Sequence, residues 1–111
     1  MGKGDSLGEF EHLVLLALVR LGDTAYGVPI RRELAERAGR DVSIGAVYTT
    51  LDRLERKGFV SSRKGEPTAE RGGRAKKYFR IEALGQLAIE SSWKAIVSMR
   101  RGVRQASMGE T

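Results

Sequence analysis

Apolar residues at Phe10, Leu13, Val14, Ala17, Leu18 and Leu21 recur at the three- and four-residue steps of one helical face, and Gly22-Asp23 supplies a stop. The spacing therefore predicts a first helix. Leu15, Leu16 and Val19 fall off that face and leave the helix apolar nearly all round, which calls for cover from beyond its own small domain. A second helix is expected from about Tyr26 to Ala38, with Ile30, Leu34 and Ala38 inward and Gly39 as its C-terminal stop. Pro29 is harmless only within a first turn, so the helix should start near Gly27.

The third helix is the most informative. Ser43 is placed to cap it, Ile44, Val47, Tyr48, Leu51 and Leu54 form one apolar stripe, and Gly58 closes it. The opposite face presents Gly45, Ala46, Thr49, Thr50, Arg53 and Arg56. A helix that enters a major groove needs short side chains where backbone meets base edges, hydroxyls or arginine to read them, and cations for phosphates. Beyond it, Phe59 to Lys64 and Ala75 to Ile81 read as two short strands of a hairpin. The loop between them, residues 65–74, holds Pro67, Gly72 and Gly73 among charges and carries Arg71 and Arg74. A last helix is expected from Glu82 to about Val103, with Leu84, Leu87, Ala88, Ala95, Ile96 and Met99 on one broad side and Ile89, Trp93 and Val97 widening it. That is more apolar surface than a three-helix core covers, so the helix is expected to pair with the first helix and with its own copy in a two-fold dimer.

Charge sharpens this picture. The 111 residues carry 20 Lys and Arg against 14 Asp and Glu, a formal charge of +6. Between Arg53 and Arg80 stand ten basic residues (Arg53, Arg56, Lys57, Arg63, Lys64, Arg71, Arg74, Lys76, Lys77, Arg80) and three acids, whereas the rest of the chain has ten basic and eleven acidic residues. All the net positive charge thus lies on the third helix and the hairpin, the footprint expected of a nucleic-acid surface rather than of general solubility. Other chemistry is excluded or unsupported. The chain has no cysteine and a single histidine, His12, which leaves no thiolate or multi-histidine metal site. His12 itself falls on the outer side of the first helix. Neither a glycine-rich phosphate loop nor a nucleophile set marks an enzyme, and no cofactor is implied. The longest apolar run, Leu13 to Val19, is seven residues, against about 18 for a membrane span.

Helix, turn, helix and a basic hairpin is the order of a winged helix-turn-helix. The expected class is mostly α with a small β-hairpin: an arm over residues 1–7, a winged helix-turn-helix domain over 8–81, a dimerisation helix over 82–103 and a disordered tail over 104–111. Gly8-Glu9-Phe10-Glu11 with the leucine-rich helix after it, Leu21-Gly22-Asp23, Tyr26-Gly27, Gly45 to Glu55, Gly58-Phe59-Val60, and Gly73-Arg74 with Lys77 to Arg80 together resemble the PadR family of bacterial winged-helix transcriptional regulators, in its short subgroup with one C-terminal helix. Two departures stand out: Glu82 replaces the Thr or Ser that usually caps the last helix, and Pro29 is unusual in its segment.

The resemblance implies a dimeric, cytoplasmic, usually repressing regulator that binds a palindromic operator, with helix 43–57 in the major groove and wing 65–76 beside it. The expected DNA-contacting residues are Ser43, Gly45, Ala46, Tyr48, Thr49, Thr50, Arg53, Lys64, Arg71, Arg74 and Lys76, with the Tyr48 ring mainly in the core. The expected dimer seam is Phe10, Leu13, Leu16, Leu87, Trp93, Ile96 and Met99. Trp93, the one tryptophan, reads first as seam packing; ligand-responsive relatives make it also a candidate for stacking on a flat aromatic effector. The rival reading is a small basic RNA-binding or ribosome-associated protein, which would expose aromatics among its cations, and only Tyr78 fits that pattern.

Overall fold

The computed structural model describes residues 6–66 and 76–103. Its elements are α1 (Glu9–Leu21), a 3₁₀ turn (Gly22–Thr24), α2 (Gly27–Ala38), α3 (Ile44–Arg56), β1 (Val60–Lys64), β2 (Lys77–Ile81) and α4 (Ala83–Arg100). This is a mostly helical chain with one antiparallel hairpin, the winged-helix arrangement expected from the sequence. The segments 1–5 and 104–111 and the wing tip, residues 67–75 with Arg71 and Arg74, lie outside the described residues.

The helix boundaries follow local chemistry. Helix α1 ends where Gly22 adopts φ 58° and returns its N–H to the Leu18 carbonyl. Helix α2 starts at Gly27, so Pro29 sits in the first turn, where its missing N–H has no helical acceptor to lose. Its end is a left-handed Gly39, with the Arg40 N–H donating to the Leu34 carbonyl at 2.9 Å. The Ser43 hydroxyl accepts the Ala46 N–H at 3.0 Å and caps α3. Strand β1 pairs with β2 in a register that sets Val60 opposite Ile81 and Lys64 opposite Lys77. The hairpin joins the helices through the Phe79 N–H, which donates to the Ala25 carbonyl at 2.8 Å.

The core lies where α1, α2 and α3 meet the hairpin: Val14, Leu15, Leu18, Ile30, Leu34, Val47, Leu51, Leu54, Phe59, Val60 and Phe79 are all buried. Helix α1 is central, touching α2, α3, β2 and α4. That position corrects two expectations. Leu15, off the expected face, is fully buried, because neighbours cover α1 on more than one side. His12, expected on the outer side, is buried, and its Nδ1 lies 3.1 Å from the Ser92 Oγ of α4. Phe10 and Leu13 of the expected seam are partly buried against the chain's own core, which leaves part of each side chain open.

Helix α4 is attached by its first turn and along one narrow face. The Glu82 N–H donates to the Phe59 carbonyl at 2.8 Å, and Gly85 is the one buried residue of the helix. No side chain caps α4: the Glu82 carboxylate instead accepts the Ser61 hydroxyl of β1. From there α4 projects with Leu84, Leu87, Trp93, Ile96 and Met99 exposed, and Leu16 and Val19 of α1 are exposed as well. The radius of gyration, 16.5 Å, exceeds the roughly 13 Å of a compact 100-residue domain, as a projecting helix requires.

Candidate nucleic-acid interface

Helix α3 turns Val47, Leu51 and Leu54 fully inward, which leaves Gly45, Thr49, Asp52 and Arg56 along its exposed side, with Arg53 on the flank. Ser43 and Gly45 are exposed at the N-terminal end and Ala46 is half-buried beside them. Small side chains therefore do stand where the helix begins. The loop that delivers them is fixed by Arg31 of α2, whose Nε donates to the Val42 carbonyl at 2.8 Å.

One expected contact sits elsewhere, and Tyr48 turns its ring to the core as expected. Thr50 is buried at 4 % exposure, so it does not share the outward face with Thr49. The reason is angular: Thr50 stands three residues after Val47 and four before Leu54, both fully buried, so it lies on the inward side of α3, 100° round the helix from Thr49. Tyr48 is half-buried, its ring 6.3 Å from that of Phe79, and its hydroxyl lies against Gly27. Any Cβ at Gly27 would fall 2.5 Å from that oxygen, so a glycine there makes room for the ring. Asp52, absent from the expected set, lies exposed between Thr49 and Arg56, and the bias toward cations hid it.

Arg53 is half-exposed but already engaged. Its Nε donates to Glu11 Oε2 at 3.0 Å and its Nη2 reaches Thr50 Oγ1 at 3.5 Å. Lys57 Nζ lies 3.1 Å from both Glu11 oxygens and 3.2 Å from the Ser6 carbonyl. Glu11 also accepts the Gly8 N–H at 2.9 Å, so four hydrogen bonds converge on a carboxylate that is 7 % exposed. Burial raises its pKa, but the Gly8 N–H, the Arg53 and Lys57 hydrogen bonds and the Lys57 charge outweigh burial and hold it below the usual glutamate value. The sequence carried one weak sign of this group: an acid three residues after Gly8, placed to bond back to the helix start.

The wing root is a stack of cations and aromatics. Arg63 lies 4.7 Å over the Tyr78 ring, Tyr78 meets Tyr26 edge-on at 5.4 Å, and Lys76 sits 5.2 Å over Tyr26. Each such pair contributes about 0.5–1 kcal/mol when exposed, enough in series to orient the hairpin. Lys64, Lys77 and Arg80 are exposed on the same hairpin. Of the expected wing contacts, Lys64 is exposed and Lys76 half-buried at the wing root, while Arg71 and Arg74 fall outside the described residues.

Along α4, His12, Leu16, Ile89, Glu90, Trp93 and Lys94 line an open cleft of about 410 Å³ against α1, with Trp93 57 % exposed. No helix among the described residues is long and apolar enough to cross a membrane.

The fold has close counterparts among solved structures. A PadR-like transcription factor from Bacteroides fragilis is 26 % identical, with 86 % of this chain and 89 % of that one covered and a TM-score of 0.68. A PadR family transcription regulator from Clostridium difficile is 25 % identical over 84 % of this chain and 95 % of that one, with a TM-score of 0.67. Bacillus subtilis PadR in complex with operator DNA shares the fold at 20 % identity and a TM-score of 0.64, covering 76 % of this chain and 46 % of that one. None of the curated proteins matches the chain. The model of the transcriptional regulator PadR-like family matches residues 15–91, which take in all of α2, α3 and the hairpin, and this chain belongs to that family.

Proposed function

We propose that the protein is a dimeric transcriptional repressor of the cytoplasm that binds a palindromic operator, with α3 in the major groove and the wing on the flanking backbone. The observation that carries the reading is the exposed side of α3, where Gly45 and Thr49 lead and Arg53 and Arg56 follow, next to a hairpin bearing Lys64, Lys76, Lys77 and Arg80. Close approach at one end and phosphate neutralisation at the other are what groove binding needs. The operator complex of the Bacillus subtilis relative supports the same use of the fold. Ser43, Gly45, Ala46, Thr49 and Arg53 are the α3 residues assigned to DNA, and Lys64, Arg71, Arg74 and Lys76 those of the wing.

The dimer rests on α4. Leu87, Trp93, Ile96 and Met99, with Leu16 of α1, form an apolar surface that a second copy related by a two-fold axis would cover. Burying it also encloses the cleft beside Trp93, where a flat aromatic effector would stack and shift the spacing of the two α3 helices.

The test is fluorescence anisotropy against duplex DNA from upstream of the protein's own gene, with a shuffled duplex and an RNA hairpin as controls, across a salt series. Tight binding to the upstream duplex alone, at one dimer per palindrome and weakening steeply with salt, is expected. Arg53→Ala should weaken that binding, and unchanged affinity would remove α3 as the reader. Preference for the RNA hairpin would instead favour an RNA-binding protein.

A further inference from the structure

We infer that Glu11, a residue of α1 outside the expected DNA surface, is a positioning residue that sets how α3 presents its cations and thereby trades non-specific affinity for operator discrimination. The inference deepens the DNA-binding reading and rests on it.

The geometry carries it. Glu11 is buried beneath the C-terminal half of α3 and holds two cations at once, Arg53 through Nε and Lys57 through Nζ. A guanidinium held by its Nε on Glu11, with its Nη2 3.5 Å from Thr50 Oγ1, cannot swing freely, so its remaining N–H groups keep one direction. The side chain nevertheless stays 45 % exposed, which leaves that direction open to solvent and to a phosphate. Lys57 is more enclosed, at 21 %, and is held by the Ser6 carbonyl too, so it is the more withdrawn of the two cations. Neither cation is a loose charge.

Two opposite consequences follow from one carboxylate. Its negative charge offsets part of the local positive field, which lowers attraction to any duplex. Its hydrogen bonds hold Arg53 in place before DNA arrives, which lowers the ordering cost only where a phosphate or base edge stands in the right position. A purely structural tie between α1 and α3 would weaken binding to all duplexes equally when lost. The two-sided effect is the signature that separates the roles.

The experiment uses the full chain, a duplex selected by the wild-type protein from a randomised pool, and a shuffled counterpart. Binding is measured across salt for wild type, Glu11→Gln and Glu11→Asp. Glu11→Gln is expected to weaken the selected duplex about tenfold while tightening the shuffled one about threefold, with a salt slope on the shuffled duplex steeper by about one unit. Glu11→Asp keeps the charge but withdraws the carboxylate by one methylene. It should lose affinity for the selected duplex while keeping wild-type affinity and salt slope on the shuffled one. Equal weakening of both duplexes by Glu11→Gln with an unchanged slope would overturn the inference, as would wild-type behaviour. Should Glu11→Gln fail to fold, Glu11→Asp decides alone: a reduced ratio of selected to shuffled affinity supports the inference and an unchanged ratio overturns it. A wild-type protein that selects no duplex overturns the DNA reading itself, an outcome distinct from a variant effect that is missing on a duplex the wild type does select.

Discussion

Gly85 of α4 lies directly over the carbonyl of Phe59, so near that a Cβ on Gly85 would overlap the carbonyl oxygen and come within 2.8 Å of the Ile81 side chain. The projecting helix is thus joined to the hairpin by backbone contact, one turn after the Glu82 N–H bonds to the same carbonyl. A glycine inside a helix ordinarily costs about 1 kcal/mol relative to alanine. Here the close approach reverses the sign.

Gly85→Ala should therefore destabilise the protein by about 1–3 kcal/mol, the range for forced overpacking, despite its better helix propensity. Urea unfolding followed by circular dichroism checks this. A stabilised variant would mean that α4 does not sit against Phe59.

Gly45→Ala gives the opposite pairing of effects. An added Cβ meets only Ser43 Oγ at 3.8 Å, an ordinary contact, so stability should hold or rise by up to about 1 kcal/mol. DNA affinity should nonetheless fall, because the methyl group stands where α3 would approach the base edges. Unchanged affinity would show that α3 does not enter the groove by that end.

Removing the α3 cap tests the local origin of the reading helix. Ser43→Ala deletes the acceptor of the Ala46 N–H and should lower stability by about 1 kcal/mol. Thermal unfolding with and without a bound duplex would measure it.

Acid should weaken the fold through Glu11. Its carboxyl titrates lower when folded than when unfolded, so its contribution is complete above the ordinary value of 4.5 and is lost as pH falls through the lowered folded value. The melting temperature of wild type should thus exceed that of Glu11→Gln at neutral pH, with the gap narrowing as pH falls below 4.5. A gap that is constant across the acid range would contradict the ion-pair account.

The exposed face of α4 makes a concentration-dependent prediction. Leu87 is 62 % exposed, so Leu87→Glu should change the stability of the single chain by no more than about 0.5 kcal/mol. In sedimentation, however, it should raise the dimer dissociation constant about a hundredfold, because a charge buried in an apolar seam has no partner. Trp93 fluorescence should shift to the blue as the wild-type protein is concentrated and lose that shift in Leu87→Glu.

Much of this molecule was legible along the chain because the signals are local. The apolar spacing of Phe10 to Leu21, the glycine stops at 22, 39 and 58, the Ser43 cap and the alternation in β2 each involve residues within a turn or a strand. Together with the basic stretch from Arg53 to Arg80 they set four helices, a hairpin and the resemblance to the regulator family to which the chain belongs. Tertiary structure alone decided which of those residues are free. Arg53 meets Glu11 across 42 positions, Lys57 meets it across 46, and His12 meets Ser92 across 80. No periodicity links such partners, since each pairing depends on how α1 is enclosed by α3 on one side and α4 on another. For the same reason Leu15 is buried against the expectation from its own helix. Periodicity finds the face a helix turns toward one neighbour, and the central α1 has several.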